Sequence, residues 1–430
     1  MAARTIPLRI SGFALGMNNR RPDHQLDAGE DGRFLRSSVN ADIAATGRLQ
    51  RRRGYARVIS GAECHSGWAA PSGAAAFYAD GGSLYQLSGD PAAPTRALIR
   101  DGFAPQLPFS YAEAPEGGFY ASNGAELGRI VGGVFEPLAP PPLSPQPFAV
   151  ATSGGALPPG TYQVCFTQRF ADGRESPATH PLQIEVPEDG RIEAFGLPAA
   201  FSPGVTSVVV YASPVNGDQI YRAAVLTEPA TTFVLAVLPA AGPRCTTIGL
   251  TRMPPGNVVR FSNGRLLAAD GRALFYSEPF APGLTNPLKN FIVFPEPISV
   301  VEPVGGGVYV VAEATYWFLG DLGVAEARVV APSRGVPRTG GQMPRPAGEQ
   351  KSTGCFWMSE RGLVTALPGG QLTFVQDDNV AVAPARAGAT AFRERDGERQ
   401  LVAGLFGTGP EHIAARSFMD AEVIRKETQL

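Results

Sequence analysis

The most frequent pattern in this chain is a short apolar run, a polar turn and a second apolar run. Within the runs, apolar side chains alternate with polar or small ones, and most turns contain Asp-Gly, Asn-Gly or a related polar step. Because type I′ turns need positive φ at both central residues, such steps between alternating hydrophobics predict β-hairpins. The six segments are "AAAFYADGGSLYQLSGD" from Ala74, "GGFYASNGAELGRIV" from Gly117, "GRLLAADGRALFYSEPF" from Gly264, "GGGVYVVAEATYWFLGD" from Gly305, "GCFWMSERGLVTALPGG" from Gly354 and "AFRERDGERQLVAGLFG" from Ala391.

The spacing of these segments indicates one repeated unit. The first two starts differ by 43 residues, and the later four differ by 41, 49 and 37 residues. One four-stranded propeller blade takes about 40 to 50 residues, and stacked blades bury the apolar face that a single hairpin leaves open. The sequence therefore predicts an all-β protein with a five- or six-bladed β-propeller. Its last blade would be closed by an N-terminal strand near "TIPLRI" or "SSVNADI".

A different kind of segment interrupts the series. It begins with the proline-rich "APPPLSPQP" and ends near "AAGPRCTTIG", compositions that are typical of domain boundaries. Between them, "TYQVCFT" alternates apolar and polar residues, and "ADGRES" and "VNGDQ" are turn sequences, as in an immunoglobulin-like or fibronectin III-like β-sandwich. We therefore predict propeller over 1–138, an inserted sandwich over 139–250, and propeller with a partly ordered C-terminal tail over 251–430.

The composition is typical of a turn-rich folded protein and argues against several classes of function. The 430 residues include 51 glycines and 40 prolines, and 44% of them are hydrophobic. A net charge of −2 gives no general attraction to nucleic acid or to an anionic membrane. The N-terminus lacks an apolar signal region, and the longest apolar run, near "TTFVLAVLPAA", is too short to span a bilayer. We expect a soluble protein that is made in the cytoplasm and does not insert into a membrane.

Residues suited to catalysis or to cofactor binding are sparse. No histidine lies in a metal-binding or catalytic spacing, and no phosphate- or dinucleotide-binding glycine motif occurs. The cysteines are far apart and include no CxxC pair, which predicts four buried free thiols rather than a metal site or a disulfide framework. We therefore predict no catalytic residue, no cofactor and no metal. The residues concerned are His24, His65, His180, His412, Cys64, Cys165, Cys245 and Cys355.

An enzymatic alternative stays open, because propeller glycosidases and lyases cluster carboxylates or aromatic residues around a central channel. The candidate carboxylates are Asp377 and Asp378 in "VQDDNV", together with Asp80 and Asp270 in hairpin turns. Each of the two turn aspartates precedes a glycine, so turn chemistry explains them. The candidate sugar-stacking residues are Trp68, Trp317 and Trp357. The last two lie inside predicted strands, where core packing is the expected role.

A basic run, "SSVNADIAATGRLQRRRGYAR", is the remaining candidate site. It reads as a hairpin in which "AATG" is the turn and the returning strand carries the arginines. Period-2 alternation places charge on both faces of that strand, which disfavours burial and favours an edge strand or a subunit interface. Pairing with acids such as Glu30, Asp31 or Asp42 is the first interpretation, and contact with DNA is the second. The arginines are Arg48, Arg51, Arg52, Arg53 and Arg57.

Several of these phrases resemble those of phage virion proteins. "NADIAATGRLQRRRGY", "NGRLLAADGRALFYSEPFAPGL", "GCFWMSERGLVTALPGGQL" and "FMDAEVIRK" are similar to phrases in the β-propeller tail hub or nozzle proteins of tailed phages, also called tail tubular or DNA-stabilisation proteins. The resemblance covers residues 1–138 and 251–430 and rests on recurring phrases rather than on one signature. The predicted sandwich resembles the immunoglobulin-like modules of phage structural proteins.

The resemblance implies a non-enzymatic virion protein of the tail. Identical subunits, six in the nozzle family, would form a ring that continues the DNA channel below the portal and adaptor, retaining the genome and then passing it during ejection. The implied partners are other copies of the chain, the portal-adaptor and other tail proteins, DNA contacted without sequence specificity, and tail fibres. The alternatives are a propeller glycosidase or polysaccharide lyase acting on host surface glycans, and a surface adhesin, which the missing signal peptide disfavours.

Overall fold

The structure is a computed structural model that describes residues 12–407 apart from 28–31, 45, 53, 55, 344–353, 383–384 and 396–397. Regular structure in this part of the chain is strand, with one short 3-10 turn at Asp23–Gln25. The chain divides into two compact units. The first contains residues 1–109, 269–273 and 293–430, and the second contains residues 110–268 and 274–292.

The N-terminal part begins with a hairpin and continues with two antiparallel four-stranded sheets. The hairpin strands are β1 (Ala41–Ile43) and β2 (Leu49–Arg51). The first blade consists of β3 (Cys64–Ala69), β4 (Ala76–Asp80), β5 (Ser83–Ser88) and β6 (Thr95–Arg100). The second blade consists of β7 (Ser110–Glu113), β8 (Phe119–Ser122), β9 (Leu127–Val131) and β10 (Val134–Pro137). In both blades the strands lie side by side in chain order.

Seven strands between the second and third blades form two sheets. They are β11 (Phe148–Leu157), β12 (Gly160–Phe170), β13 (Leu182–Val186), β14 (Gly190–Phe195), β15 (Val205–Ala212), β16 (Tyr221–Leu226) and β17 (Thr232–Leu235). The sheet orders are β11-β14-β17 and β13-β12-β15-β16. The four-stranded order matches the C′-C-F-G neighbours of immunoglobulin-type sandwiches, and β11-β14 matches their B-E pair. All seven strands lie within 139–250, the range predicted for this module.

The remaining strands form three more blades and a final hairpin. The third blade contains β19 (Val258–Ser262), β20 (Arg265–Asp270), β21 (Ala273–Tyr276) and β23 (Phe291–Val293), beside the short pair β18 (Thr251–Arg252) and β22 (Leu284–Thr285). The fourth contains β24 (Val300–Val304), β25 (Gly307–Val311), β26 (Thr315–Leu319) and β27 (Ala327–Ala331). The fifth contains β28 (Gly341–Gln342), β29 (Cys355–Ser359), β30 (Gly362–Leu367) and β31 (Gln371–Phe374). The hairpin is β32 (Ala387–Arg395) with β33 (Glu398–Phe406).

The six predicted hairpins are all present, and five of them form the two middle strands of a blade. These pairs are β4-β5, β8-β9, β20-β21, β25-β26 and β29-β30. Middle strands have hydrogen-bonded neighbours on both sides, and two of them, β25 and β29, are buried along their whole length. The prediction of an all-β chain with propeller-type blades and an inserted sandwich is confirmed.

Within each unit, neighbouring sheets share apolar cores. In the second unit, Tyr120 of the second blade stacks on Phe261 of the third, with ring centroids 5.7 Å apart. In the first unit, Trp357 of the fifth blade packs against Tyr309 of the fourth at 5.7 Å. The sandwich has its own core between its two sheets. Face-to-face burial of this kind is what a repeated blade requires, because one hairpin cannot cover its own apolar side.

The N-terminal segment is joined to the region that follows the fifth blade. The backbone N–H of Asn19 donates to Asn379 O at 2.9 Å, and the buried Asn18 donates from Nδ2 to Asn379 Oδ1 at 2.8 Å. Asn19 Oδ1 accepts from the N–H of Ala381 at 2.7 Å. Of the two predicted closing strands, "SSVNADI" contains β1, which pairs with β2 among the described residues, and "TIPLRI" lies outside them. Asn18 and Asn19 therefore join the N-terminal segment to residues 379–381.

Candidate interface at the arginine hairpin

The basic run forms the predicted hairpin, with Leu49 opposite Ile43, Gln50 opposite Asp42 and Arg51 opposite Ala41. Its turn is anchored by Gly47, whose carbonyl accepts the N–H of Phe13 at 2.7 Å. Gly47 has φ of +77°, and a Cβ there would lie 2.8 Å from the backbone N of Ala14. Only glycine fits this turn without strain, so the local sequence fixes where the hairpin sits on the first unit.

The structure divides the arginines into two groups. Arg48 and Arg51 are exposed and make no hydrogen bond or ion pair with any residue that the structure describes. Arg52 is half-buried, and its Nε lies 4.0 Å from Asp42 Oδ1, one of the acids predicted as a partner. Arg57 donates to the carbonyl oxygens of Ile59 at 3.1 Å and Gly61 at 2.8 Å. Arg53, like the predicted acids Glu30 and Asp31, lies outside the described residues.

All three residues of β2 are exposed, as expected for a strand with charge on both faces. Leu49 is 44% exposed beside Arg48 and Arg51, so an apolar side chain accompanies the two cations. Such a mixed surface suits contact with another macromolecule, because the leucine contributes burial and the arginines supply orientation. The hairpin is therefore the best candidate interface among the residues singled out from the sequence.

Of the two adjacent candidate aspartates, Asp377 has structural partners. Asp377 accepts hydrogen bonds from the guanidinium of Arg361, which also stacks 3.9 Å from the ring centroid of Phe374. Arg20 lies 3.6 Å from the same carboxylate. The hydrogen bond from Arg361 lowers the pKa of Asp377 below its usual value, which suits an ion-pair partner better than a general acid.

The other carboxylate and aromatic candidates also have local explanations. Asp80 Oδ1 accepts the backbone N–H groups of Ala62 at 3.1 Å and Glu63 at 2.9 Å. Asp270 ends β20 and precedes Gly271, which has φ of +53°, as the turn reading predicts. Trp317 and Trp357 are buried in the core shared by the fourth and fifth blades. Trp68 is half-buried and stacks on Phe77 at 6.0 Å.

One contact between a histidine and a hydroxyl was not expected from the sequence. His65 Nδ1 lies 2.7 Å from Ser66 Oγ, and its Nε2 lies 3.1 Å from the carbonyl oxygen of Gly81. Ser66 Oγ also accepts the backbone N–H of Phe109 at 2.8 Å. Ser66 has φ of +56° inside a register shift of the β3-β4 ladder. These bonds stabilise an irregular edge strand, and neither ring nitrogen is bonded to a carboxylate of the described residues that would orient the histidine as a catalytic base.

Sequence reasoning missed a ring of four charges in the second unit. The guanidinium of Arg129 pairs with Glu136 and lies 2.8 Å from Asp172 Oδ2. Arg174 closes the ring, at 2.7 Å from Asp172 Oδ2 and 3.3 Å from Glu136 Oε1. Arg129 is on β9, Glu136 on β10, and the other two on the turn after β12. The ring therefore joins the second blade to the sandwich.

The same arginine also bonds to the connecting backbone. Arg174 Nη1 donates to the carbonyl oxygens of Pro137 at 2.7 Å and Leu138 at 2.8 Å. Burial raises the pKa of Asp172, but hydrogen bonds from the side chain and backbone of Arg174, with the charge of Arg129, outweigh it and leave the pKa below its usual value. The turn sequence "ADGRES" signals the loop, but no local signal reveals partners 36 to 43 residues away.

The prediction of four buried thiols is wrong for one cysteine. Cys64 is exposed, whereas Cys165, Cys245 and Cys355 are buried. Cys64 is the first residue of the edge strand β3, which has a hydrogen-bonded neighbour on one side only within its sheet. Cys165 and Cys245, 80 residues apart in the chain, belong to one buried cluster, and each thiol perturbs the pKa of the other.

The described residues contain neither a cluster of metal ligands nor a membrane-spanning helix. No group of three or more histidine, cysteine, aspartate or glutamate side chains in that part of the chain could hold a metal ion. No helix there is long and apolar enough to cross a membrane.

Comparisons with known proteins were made on sequence and on structure. No protein-family model matches this sequence, and no curated protein matches it. A functionally unknown protein from Desulfotomaculum acetoxidans is similar at 12% identity and a TM-score of 0.28, over 72% of this chain and 84% of that one.

Two further solved structures have similarly low scores. PorZ, a surface component of the type-IX secretion system of Porphyromonas gingivalis, has 12% identity and a TM-score of 0.28, over 82% of this chain and 38% of that one. The WD40 β-propeller domain of Doa1 has 10% identity and a TM-score of 0.26, over 75% and 84%. Likenesses at these TM-scores carry no argument about what this chain does.

Proposed function

We propose that this chain is a structural protein of a phage tail. In this proposal, copies of the chain form a ring of the nozzle or hub type, with six subunits expected, between the portal-adaptor and the tail fibres. The ring walls part of the DNA channel, retains the genome without reading its sequence, and passes it during ejection. The protein belongs to the virion and catalyses nothing.

The observation that carries the proposal is the exposed pair Arg48 and Arg51 on an anchored hairpin. Both guanidinium groups lack a partner among the described residues, and Leu49 beside them is 44% exposed. Arg48 immediately precedes β2 and Arg51 ends it, and Gly47 fixes the turn before them, so the hairpin presents both cations to an acidic surface, either on a neighbouring subunit or on DNA. The phrases that resemble tail hub proteins supply the identity of the assembly.

The hydrogen bonds that Asp377 accepts from Arg361 favour this proposal over a glycan-cleaving enzyme. General acid catalysis needs a carboxyl that holds its proton near neutral pH. Asp377 instead accepts hydrogen bonds from Arg361, and its pKa is lowered. Asp378 is exposed at the neighbouring position and makes no hydrogen bond or ion pair with the described part of the chain.

Electron microscopy and light scattering of the purified protein test the proposal directly. We expect closed rings, or a ring layer that assembles when the portal-adaptor is added. The same preparation is incubated with host-type polysaccharides, and release of reducing ends or unsaturated products is measured. A strictly monomeric protein that cleaves glycan, and that loses this activity in Asp377→Asn or Asp378→Asn, would overturn the proposal.

Charge reversal at the hairpin distinguishes the two interpretations of the arginines. The variant Arg48→Glu/Arg51→Glu is compared with Arg328→Glu, which reverses an exposed arginine on β27. Failure to form rings in the absence of DNA assigns the hairpin to a subunit contact. Normal rings with reduced DNA retention assign it to the channel. Wild-type behaviour in both assays would show that the hairpin serves neither purpose.

A further inference from the structure

A buried dithiol lies on the outer face of the four-stranded sheet of the sandwich. Cys165 is 0% exposed and Cys245 is 4% exposed, and both pack with Val209, Tyr211 and Ile220. Val164 and Phe166, the neighbours of Cys165 on β12, belong to the core on the opposite face. The pair is therefore separate from the core between the two sheets, and a bond between its sulfurs would leave that core undisturbed.

Cys245 belongs to the segment by which the chain leaves the sandwich. Its backbone N–H donates to Ile220 O at 2.9 Å, and the N–H of Arg222 donates to Pro243 O at 2.9 Å. Two residues later, Thr247 O accepts the N–H of Ala178 at 3.2 Å. These three backbone bonds, with the contact between the thiols, hold residues 243–247 against the sheet before the chain enters β18.

We propose that Cys165 and Cys245 form a reversible disulfide that fastens the exit segment of the sandwich to its central strand β12. The oxidant is a small-molecule disulfide such as oxidised glutathione. The inference depends only on the sandwich and does not rest on the tail function proposed above. The reduced form holds the exit segment by hydrogen bonds alone, and the oxidised form holds it covalently.

The chemistry proceeds by two thiol–disulfide exchanges. The Cys245 thiolate attacks one sulfur of oxidised glutathione, forming a mixed disulfide and releasing one glutathione thiolate. Cys165 then loses its proton and attacks the Cys245 sulfur, forming the intramolecular bond and releasing the second glutathione. The protein loses two protons and two electrons, and the two electrons reduce one glutathione disulfide to two glutathione thiols.

The surroundings assign the first attack to Cys245. The hydrogen bond with Cys165 lowers the pKa of Cys245 to about 7, in spite of burial, and the backbone and hydroxyl of Thr247 add to the effect. The same contact, together with burial, raises the pKa of Cys165. Cys245 lies between the exposed Arg244 and Thr246, so a short local opening of the segment admits the reagent.

Peptide mapping of the folded protein tests the proposal. The variant Cys64→Ser removes the exposed thiol and is equilibrated with reduced or oxidised glutathione before alkylation of free thiols at low pH. Tryptic digestion without reduction should give residues 130–169 joined to residues 245–252 in the oxidised sample only. The matched variants Cys64→Ser/Cys165→Ser and Cys64→Ser/Cys245→Ser should not give the joined peptide.

Limited proteolysis measures whether the disulfide fastens the exit segment to the sheet. Trypsin cleaves after the exposed Arg244, and this cleavage needs the segment to leave the sheet. We expect oxidation to slow this cut at least tenfold while cleavage at sites outside the sandwich proceeds at its former rate. Full alkylation of both cysteines after oxidation of the folded protein would overturn the proposal. A stable glutathione adduct on Cys245, or an unchanged cutting rate once the disulfide has formed, would do the same.

Discussion

Replacing Arg174 with alanine should loosen the joint between the second blade and the sandwich. The guanidinium donates to the carbonyls of Pro137 and Leu138 and to the carboxylates of Asp172 and Glu136. Its side chain is 21% exposed, so solvent replaces these bonds only in part. Removal leaves both carboxylates with Arg129 as their one remaining partner in the ring.

The size of the effect follows from the bonds that are lost. A hydrogen bond from a charged donor contributes about 1.5 to 3 kcal/mol, and the two carbonyl bonds are of this kind. Partly exposed ion pairs contribute about 0.2 to 1 kcal/mol each. Allowing for water that reaches the freed carbonyl of Pro137, we expect Arg174→Ala to lower the free energy of unfolding of this region by about 3 kcal/mol. Arg174→Lys keeps the charge but not the planar fork, and we expect about half that loss.

The measurement must report on the second unit. All three tryptophans, Trp68, Trp317 and Trp357, lie in the first unit, so their fluorescence follows the wrong region. Native-state hydrogen exchange of amides in β9, β12 and β15 gives the local opening free energy directly. Because the ring joins blade and sandwich, protection should fall in both elements together.

A matched substitution and a pH series make the test strict. Arg191→Ala removes an arginine that pairs with Glu193 on the outer face of the same sandwich and should cost less than about 1 kcal/mol. Because the folded-state pKa of Asp172 is lowered, its contribution is present above its unfolded pKa and is lost as the pH falls through the folded value. The loss of stability at acid pH should be smaller in Arg174→Ala than in the wild type. If Arg174→Ala lowered the free energy of unfolding no more than Arg191→Ala does, the reasoning would be refuted.

Three further substitutions probe the first unit. Gly47→Ala should destabilise the hairpin by about 1 to 3 kcal/mol, because a Cβ at φ of +77° meets Ala14, and the exchange rate of the Phe13 amide should rise. Asn18→Ala removes a buried side chain that bonds to Asn379, so trypsin should cut sooner after Arg20. Trp357→Ala should cost about 3 to 5 kcal/mol in urea unfolding, because the side chain is wholly buried.

Local turn chemistry explains why the hairpins could be predicted and their outer partners could not. Asp-Gly and Asn-Gly steps and alternating apolar residues identify β4-β5, β8-β9 and β20-β21 without any tertiary information. The outer strand β6 gives a weaker signal. The first four of the six residues of β6 are exposed, so its sequence carries no strong period.

The sites that the sequence missed depend on contacts between distant residues. Arg129 and Asp172 are 43 residues apart, and Cys165 and Cys245 are 80 apart, so neither spacing suggests a pair. The first pair forms because the turn after β12 lies against the second blade. The second forms because the exit segment packs against the sheet that contains β12. Charge on both faces of a short strand, by contrast, is a local property, and it correctly predicted the exposure of Arg51.

The basic run contains fewer available charges than its sequence suggests. Irregular backbone around the hairpin needs donors for its carbonyl groups, and Arg57 supplies them, while Arg52 approaches Asp42. Among the arginines of the run that the structure describes, Arg48 and Arg51 remain for a partner. Each phosphate neutralised on duplex DNA contributes about 0.9 to the slope of log affinity against log salt, so in the proposed DNA-binding ring these two arginines would contribute about 1.8 per subunit. That value would be small enough for the proposed ring to hold DNA through many subunits while no single subunit prevents the DNA from sliding.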